Sequence, residues 1–419
     1  MLVAALAFLG YRVYDYRRER GHPLLADDPI VLQARNLCAS GQRAEALALL
    51  SLSHRRDPGN PAVALEYALT LYSTGNSKAA EAAASEVLRR DPNLPEALAL
   101  RGLVRRDSGR LDEGIRDLEA AVAARPDEAP FMYALAHALL MRSARQVELT
   151  AEAEADMTRA TQLLQRAAAL QPDPEVLSDL ALLQKNRSQW PAAIETYRRL
   201  AEMLPQEAGP LAAAAECCLK TGDAQKAAEM GRGAVKRDPH YAPGHEQLAR
   251  ALNMLPAESV NPDEYKRALR AWWDESDANS ADPALWLAEA HLRERNVQAA
   301  EAVLREAVED ERAHRHVPSP EVHTQLARLL SERGRRQEAE SELATARRLH
   351  QQWDPVGDLI NRITARPGHS RNERLALAGL YKKLGWPDLG LPYLRPLLNA
   401  QPPDGEAEKL AQELRDATA

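Results

Sequence analysis

Gly41, Gly75 and Gly109 stand 34 residues apart, and Pro58, Pro92 and Pro126 keep the same interval. Ala46 and Ala80 follow it too, with Gly114 in the next place. A fixed interval of this length means one supersecondary unit repeated along the chain, each copy burying against its neighbours a face it cannot bury alone. The unit reads as two helices. Helix A has a small residue at position 8 and ends on Gly at position 15, where a left-handed backbone costs glycine least. Helix B has a small residue at 20 and a large apolar one at 24. Pro at 32 ends the unit, because it has no N–H to offer the preceding turn.

Ten units can be set in this register. Repeats one to three carry Ala34, Ala68 and Gly102 at position 8, and Leu50, Ala84 and Leu118 at position 24. Repeat four has Ala136, then extra residues, then Ala160 and Leu164; repeat five has Ala181, Ala193 and Tyr197. Repeat six has Ala215, Gly222 and Ala227, and repeat seven begins at Ala249 and resumes at Ala268 and Trp272. Ala288 and Ala300, then Ala327, Gly334 and Leu343, then Ala378 and Gly385 mark repeats eight to ten. From about residue 27 to 404 the chain resembles the tetratricopeptide repeat family. The resemblance implies an all-α fold: a right-handed superhelical solenoid of helix–turn–helix repeats that binds other proteins. The aromatic usual at position 4 is mostly absent, and Gly114, Gly231 and Gly390 replace expected side chains.

The period also divides the chain. Residues 1–20 form a short apolar segment and 21–27 a linker. Residues 28–254 hold repeats one to six and helix A of repeat seven; 255–353 hold the insertion-bearing repeats seven to nine. An extra helix is expected over 354–370, bounded by Pro355 and Pro367, then a degenerate repeat ten over 371–404 and a capping helix over 405–419. Repeat ten carries Pro392 and Pro396 in its helix B, which is expected to be bent or short. Arg-Arg-Asp-Pro closes repeats one and two. Basic residues suit the negative end of a helix, and the Asp can accept N–H groups of the next turn, so these clusters read as helix termination.

Composition excludes more than it selects. A net charge of −7 on 419 residues gives no argument for nucleic acid. Three cysteines make no disulfide framework, and Cys217 and Cys218 read as small buried hydrophobes. No P-loop, dinucleotide glycine fingerprint, HExxH, CxxCH or GxSxG occurs. The expectation is a protein without catalytic activity, cofactor, metal or small-molecule substrate.

Met1 to Gly10 is apolar and runs into Tyr11, Tyr14, Tyr16 and then Arg17-Arg18. A spanning helix needs about 20 apolar residues. Three readings fit: a short anchor or interfacial helix, the end of a longer spanning helix, or a helix packed on repeat one. The tyrosine–arginine border favours membrane association through residues 1–16, with the repeats on either the periplasmic or the cytoplasmic side. The layout resembles bacterial membrane-anchored repeat scaffolds, although the paired CxxC motifs that end one such group are missing.

In this family helix A positions 2, 5, 6, 9, 12 and 13 line the inner face. The Lys and Asn set that holds C-terminal carboxylates is not present: the slots are Val31 and Arg35, then Glu66, then Glu96 and Leu100. The front half offers instead Leu65, Leu69, Tyr72, Leu103, Tyr133 and His137 as a stripe for a partner protein or peptide, unless neighbouring helices cover them. Trp273, His314 and His316 mark insertions that a partner would touch, and His323 makes a third histidine near the last two, with no carboxylate or cysteine partner evident. Trp272 falls in the large slot and reads as filler. The two functions that follow are a scaffold or assembly factor using the inner face, and a structural subunit of a larger membrane complex using the outer face and insertions.

Overall fold

A computed structural model describes residues 28–145, 150–276, 281–313, 317–365, 370–398 and 403–418. The apolar N-terminal segment, His314 and His316 lie outside the described residues. Twenty-one α-helices follow one another without a strand among the described residues, so the expected all-α class holds. By its contacts the chain divides into two compact units, Met1–Val176 and Leu177–Ala419.

In the first unit the helices pair as α1 (Pro29–Ala39) with α2 (Arg43–Arg56), α3 (Pro61–Ser73) with α4 (Ser77–Arg90), α5 (Pro95–Asp107) with α6 (Leu111–Ala124), and α7 (Ala129–Arg145) with α8 (Ala151–Leu170). Local chemistry sets the ends. Asp28 and Asn60 cap α1 and α3 by accepting two backbone N–H groups each, ahead of Pro29 and Pro61 in the first helical turn. Gly41, Gly75 and Gly109 take φ of 83, 81 and 85°. That turn lets Asn76 N–H reach back to the Leu71 carbonyl at 2.9 Å and closes helix A. Asp57 and Asp91 accept N–H from Gly59 and Asn93 in the turn before the next unit, as the closing Asp was expected to do.

Repeat three shows why small residues sit at positions 8 and 20. A Cβ on Gly114 would stand 2.8 Å from the Gly102 carbonyl oxygen and 3.0 Å from Arg106 N, so α5 and α6 meet backbone to backbone. Leu50, Leu118 and Leu164 at position 24 are fully buried. The insertion of repeat four lengthens both helices: Arg142, at the end of α7, bonds Asp156 of α8 through Nε and a terminal nitrogen at 2.8 and 2.7 Å.

The second unit takes in most of α9 (Pro174–Asn186), then α10 (Trp190–Met203), α11 (Gly209–Lys220), α12 (Ala224–Arg237), α13 (Ala242–Met254), α14 (Pro262–Glu275), α15 (Asp282–Arg293), α16 (Val297–Arg312), α17 (Pro320–Glu332) and α18 (Arg336–Ala365). It ends with α19 (Arg371–Lys383), α20 (Pro387–Leu398) and α21 (Gly405–Thr418). Repeats five and eight lack the glycine, yet Ser188 and Arg295 take the same left-handed turn, with φ of 56 and 59°. Gln189 and Asn296 then reach back to Gln184 and His291 at 2.9 Å, the bond the glycines permit elsewhere. A continuous core runs from Cys218 through Trp272, Trp273 and Leu304 to Leu326 and Ala339. Cys217 and Cys218 are fully buried, as expected of small hydrophobes.

One boundary needs correcting. The helix expected to begin after Pro355 is the second half of α18, which runs unbroken through Pro355. Proline removes one N–H from the ladder. Here Pro355 and Gln351, whose carbonyl loses its partner, are both exposed to water. Beyond Pro355, Val356, Leu359 and Ile363 bury against Leu377 and Tyr381 of α19, which offsets that cost. Because α19 lies along this far half, Leu343 in the near half has no following helix to fill against and stays exposed. Repeat ten's helix B is short, as expected, and α21 caps the end by placing Ala407, Ala411 and Leu414 over Ala378, Leu394 and Leu397.

Candidate functional site

The inner positions of α3, α5 and α7 are the site under test. Leu65 and Leu103 are 1% and 2% exposed, so they belong to the core. Tyr72 and Tyr133, at 9%, are also buried, whereas Leu69 and His137 are half-buried. The six therefore do not form one open stripe. The small residues at positions 8 and 20 bring the helices so close that most side chains at 5, 9 and 12 tuck between neighbours.

What remains on the face has defined geometry. The Tyr72 hydroxyl donates to Asp107, whose other oxygen accepts from Arg106 Nε at 2.7 Å. Burial and then the Asp107 charge push the Tyr72 hydroxyl far above its ordinary range, so it stays a neutral donor. Tyr133 and His137 meet edge to face with ring centres 4.6 Å apart. At the start of α3 lies a pocket of about 200 Å3, walled mainly by Pro61, Ala62, Leu65, Val87 and Leu94 and lined also by Arg90, Asp91 and Glu96. Leu65 thus faces a cavity rather than solvent.

The charged slots are already used within the fold. Arg35 holds the buried Glu66 at 3.1 Å, and Arg125 holds the buried Glu96 at 2.8 Å. Both arginines are thereby taken up within the fold, which agrees with the missing carboxylate-binding set.

The insertion residues also find their places. Trp273, at 4% exposure, is core and not an open contact as expected; the Arg270 guanidinium covers its ring at 4.8 Å. Its neighbour Trp272 fills the large slot and meets Trp286 edge-on at 5.9 Å, with Arg250 lying 5.2 and 5.7 Å from the two rings. Both tryptophans are buried because α14 is covered on two sides by its own core. His323 has the carboxylate partners that were not evident in the sequence. Its Nε2 lies 3.0 Å from Glu311 and its Nδ1 2.5 Å from Glu342. With both nitrogens held by carboxylates, the ring has no free lone pair for a metal. The partners stand 12 and 19 residues away, a spacing only the fold brings together.

Two tetratricopeptide repeat family models match the chain, over residues 37–104 and 178–242. No curated protein matches it in sequence. Among solved structures it is similar to YrrB, described as a TPR protein with an unusual peptide-binding site, at 19% identity and a TM-score of 0.39, covering 47% of this chain and 96% of that one. It is similar to MamA of Desulfovibrio magneticus RS-1 at 20% identity and a TM-score of 0.35, over 42% and 93% of the two chains. For pilF of Pseudomonas aeruginosa the values are 17%, 0.42, 53% and 96%. The two family matches show that the chain contains tetratricopeptide repeats, over residues 37–104 and 178–242, and the 34-residue register and the successive helix pairs extend the same arrangement beyond them.

Proposed function

We propose that the chain is a non-enzymatic scaffold whose first unit holds an apolar segment of a partner protein on the inner face of α3, α5 and α7. The observation that carries this reading is the pocket of about 200 Å3 between the start of α3, the end of α4 and the turn into α5, with Leu69 half-exposed one helical turn beyond its wall residue Leu65. An aliphatic side chain entering such a pocket is stabilised by about 1.5–3 kcal/mol. The neutralised Glu66 and Glu96 leave no charge that would fix a terminal carboxylate. Residues 1–16 would hold the scaffold at a membrane; among the described residues no helix is long and apolar enough to cross one.

The test starts with peptides selected by display on the full chain. Leu69→Glu, at a half-exposed position, should weaken the best of them by at least about tenfold, or ~1.4 kcal/mol. Unchanged affinity with an unchanged helical spectrum contradicts the reading. The tether is tested separately by removing residues 1–20 and following the protein between membrane and soluble fractions; an unaltered distribution refutes it.

A further inference from the structure

The outer, helix B side of the second unit has an open pocket of about 590 Å3. Its walls are α12 and α14, and α13 crosses between them with Leu248 in the floor. Val235, Ala268 and Ala271 complete an apolar base. Gly231 stands at position 24, where most other repeats carry a large side chain. A Cβ there would lie 3.0 Å from the Leu248 Cα, so glycine is what lets α13 come this close to α12.

The charges around this base are not balanced. Glu264 takes Arg232 through two hydrogen bonds of 2.6 and 2.9 Å. Asp274 takes Arg270 at 3.0 Å, and Glu275 takes His240 at 2.7 Å. Each rim carboxylate therefore already has a basic partner, although Arg270 is shared with Glu306 of α16, which it holds at 2.7 and 2.8 Å. Lys236 and Arg267 are exposed on the same rim and form no ion pair among the described residues. Two unneutralised cations stand over a floor that favours apolar contact.

We propose that this pocket binds an acidic–aliphatic peptide segment of a protein partner. Carboxylates of the segment meet Lys236 and Arg267, and a neighbouring aliphatic side chain covers Leu248 and Ala271. A continuous polyanion fits worse, because only Lys236 and Arg267 on the rim stand unpaired among the described residues and the base between them is apolar. A concave pocket of this size also suits side chains better than a flat lipid surface. The site lies in the other unit from the inner face described above, so it stands or falls independently of that reading.

The probe is a fluorescein-labelled peptide of alternating Asp and Leu, with its Asn–Leu analogue as the neutral control, measured on the full chain. Lys236→Glu with Arg267→Glu should weaken the Asp–Leu peptide by at least about tenfold. Ala271→Trp, which fills the floor and keeps both cations, should do the same. Affinity should fall as salt is raised, since the paired charges are exposed. Leu69→Glu should leave it unchanged. Because Lys236 and Arg267 are exposed, the helical spectrum of the double variant should not move; Lys236→Gln with Arg267→Gln should give an intermediate loss. The proposal is overturned by equal binding of the Asn–Leu peptide, or by unchanged affinity in the double variant. Tighter binding of an oligo(dT) strand or of phosphatidylserine vesicles through the same two residues overturns it as well.

Discussion

His323 sits between two helices with its Nε2 3.0 Å from Glu311 of α16 and its Nδ1 2.5 Å from Glu342 of α18. Glu311 also accepts the Ser319 N–H at 2.9 Å, so one histidine ties the start of α17 to both flanking helices. Burial alone would lower the affinity of His323 for its proton, but the two carboxylates outweigh it and hold the ring protonated above its ordinary value of 6.5. A folded-state value raised above the unfolded one gives stability that is complete below about pH 6.5 and lost as pH rises through the folded value. Urea unfolding of the full chain should therefore show the second unit weakening from mildly acid to mildly alkaline pH. His323→Gln should flatten that slope and cost about 3–5 kcal/mol at pH 6, because it leaves buried carboxylates without their cation. A variant with the wild-type slope refutes the assignment.

Ser188 and Arg295 hold the left-handed turn that glycine holds in other repeats. A side chain in that conformation is strained by about 1–2 kcal/mol, part of which glycine returns through its greater freedom when unfolded. Ser188→Gly and Arg295→Gly should each raise stability by about 0.5–1 kcal/mol. The reverse change, Gly75→Ala, meets no atom within 4 Å and should destabilise by strain alone. Thermal unfolding of the three variants checks the signs.

Gly114→Ala is a different case. The added methyl would meet the Gly102 carbonyl and the Arg106 amide, both backbone, so no rotamer change relieves it. The loss should be about 1–3 kcal/mol or more, and it should exceed that of Gly75→Ala. Equal losses would mean that α5 and α6 do not meet backbone to backbone.

Trp273 lies beneath Arg270 in the core of the second unit. Trp273→Ala should cost about 3–5 kcal/mol of stability in denaturant unfolding. A folded, equally stable variant that merely lost a partner would restore the reading of Trp273 as an open contact.

These cases mark what the sequence carries and what it conceals. Gly41, Gly75 and Gly109 announce the helix pairs because a left-handed turn is a local demand that one residue type meets best. Ser188 and Arg295 show that the fold imposes the same turn without it. The continuation of α18 through Pro355 was not legible, since a local signal for stopping is overridden by the burial of Val356 and Ile363 in distant α19. The inner stripe was legible in position but not in exposure: Leu65 and Leu103 stand in the right register, and only the closeness of the helices decides that they are covered. The outer pocket rests on which cations are left over after pairing, and that depends on contacts some 32 residues apart, such as Arg232 with Glu264.

The central claim is that the inner face of the first unit holds the partner. Amide hydrogen exchange of the full chain, with and without a peptide selected on it, tests this most directly. Added protection confined to residues 61–73, 95–107 and 129–145, the helices α3, α5 and α7, is the predicted result. Protection on α2, α4 and α6, or in the second unit alone, would contradict it.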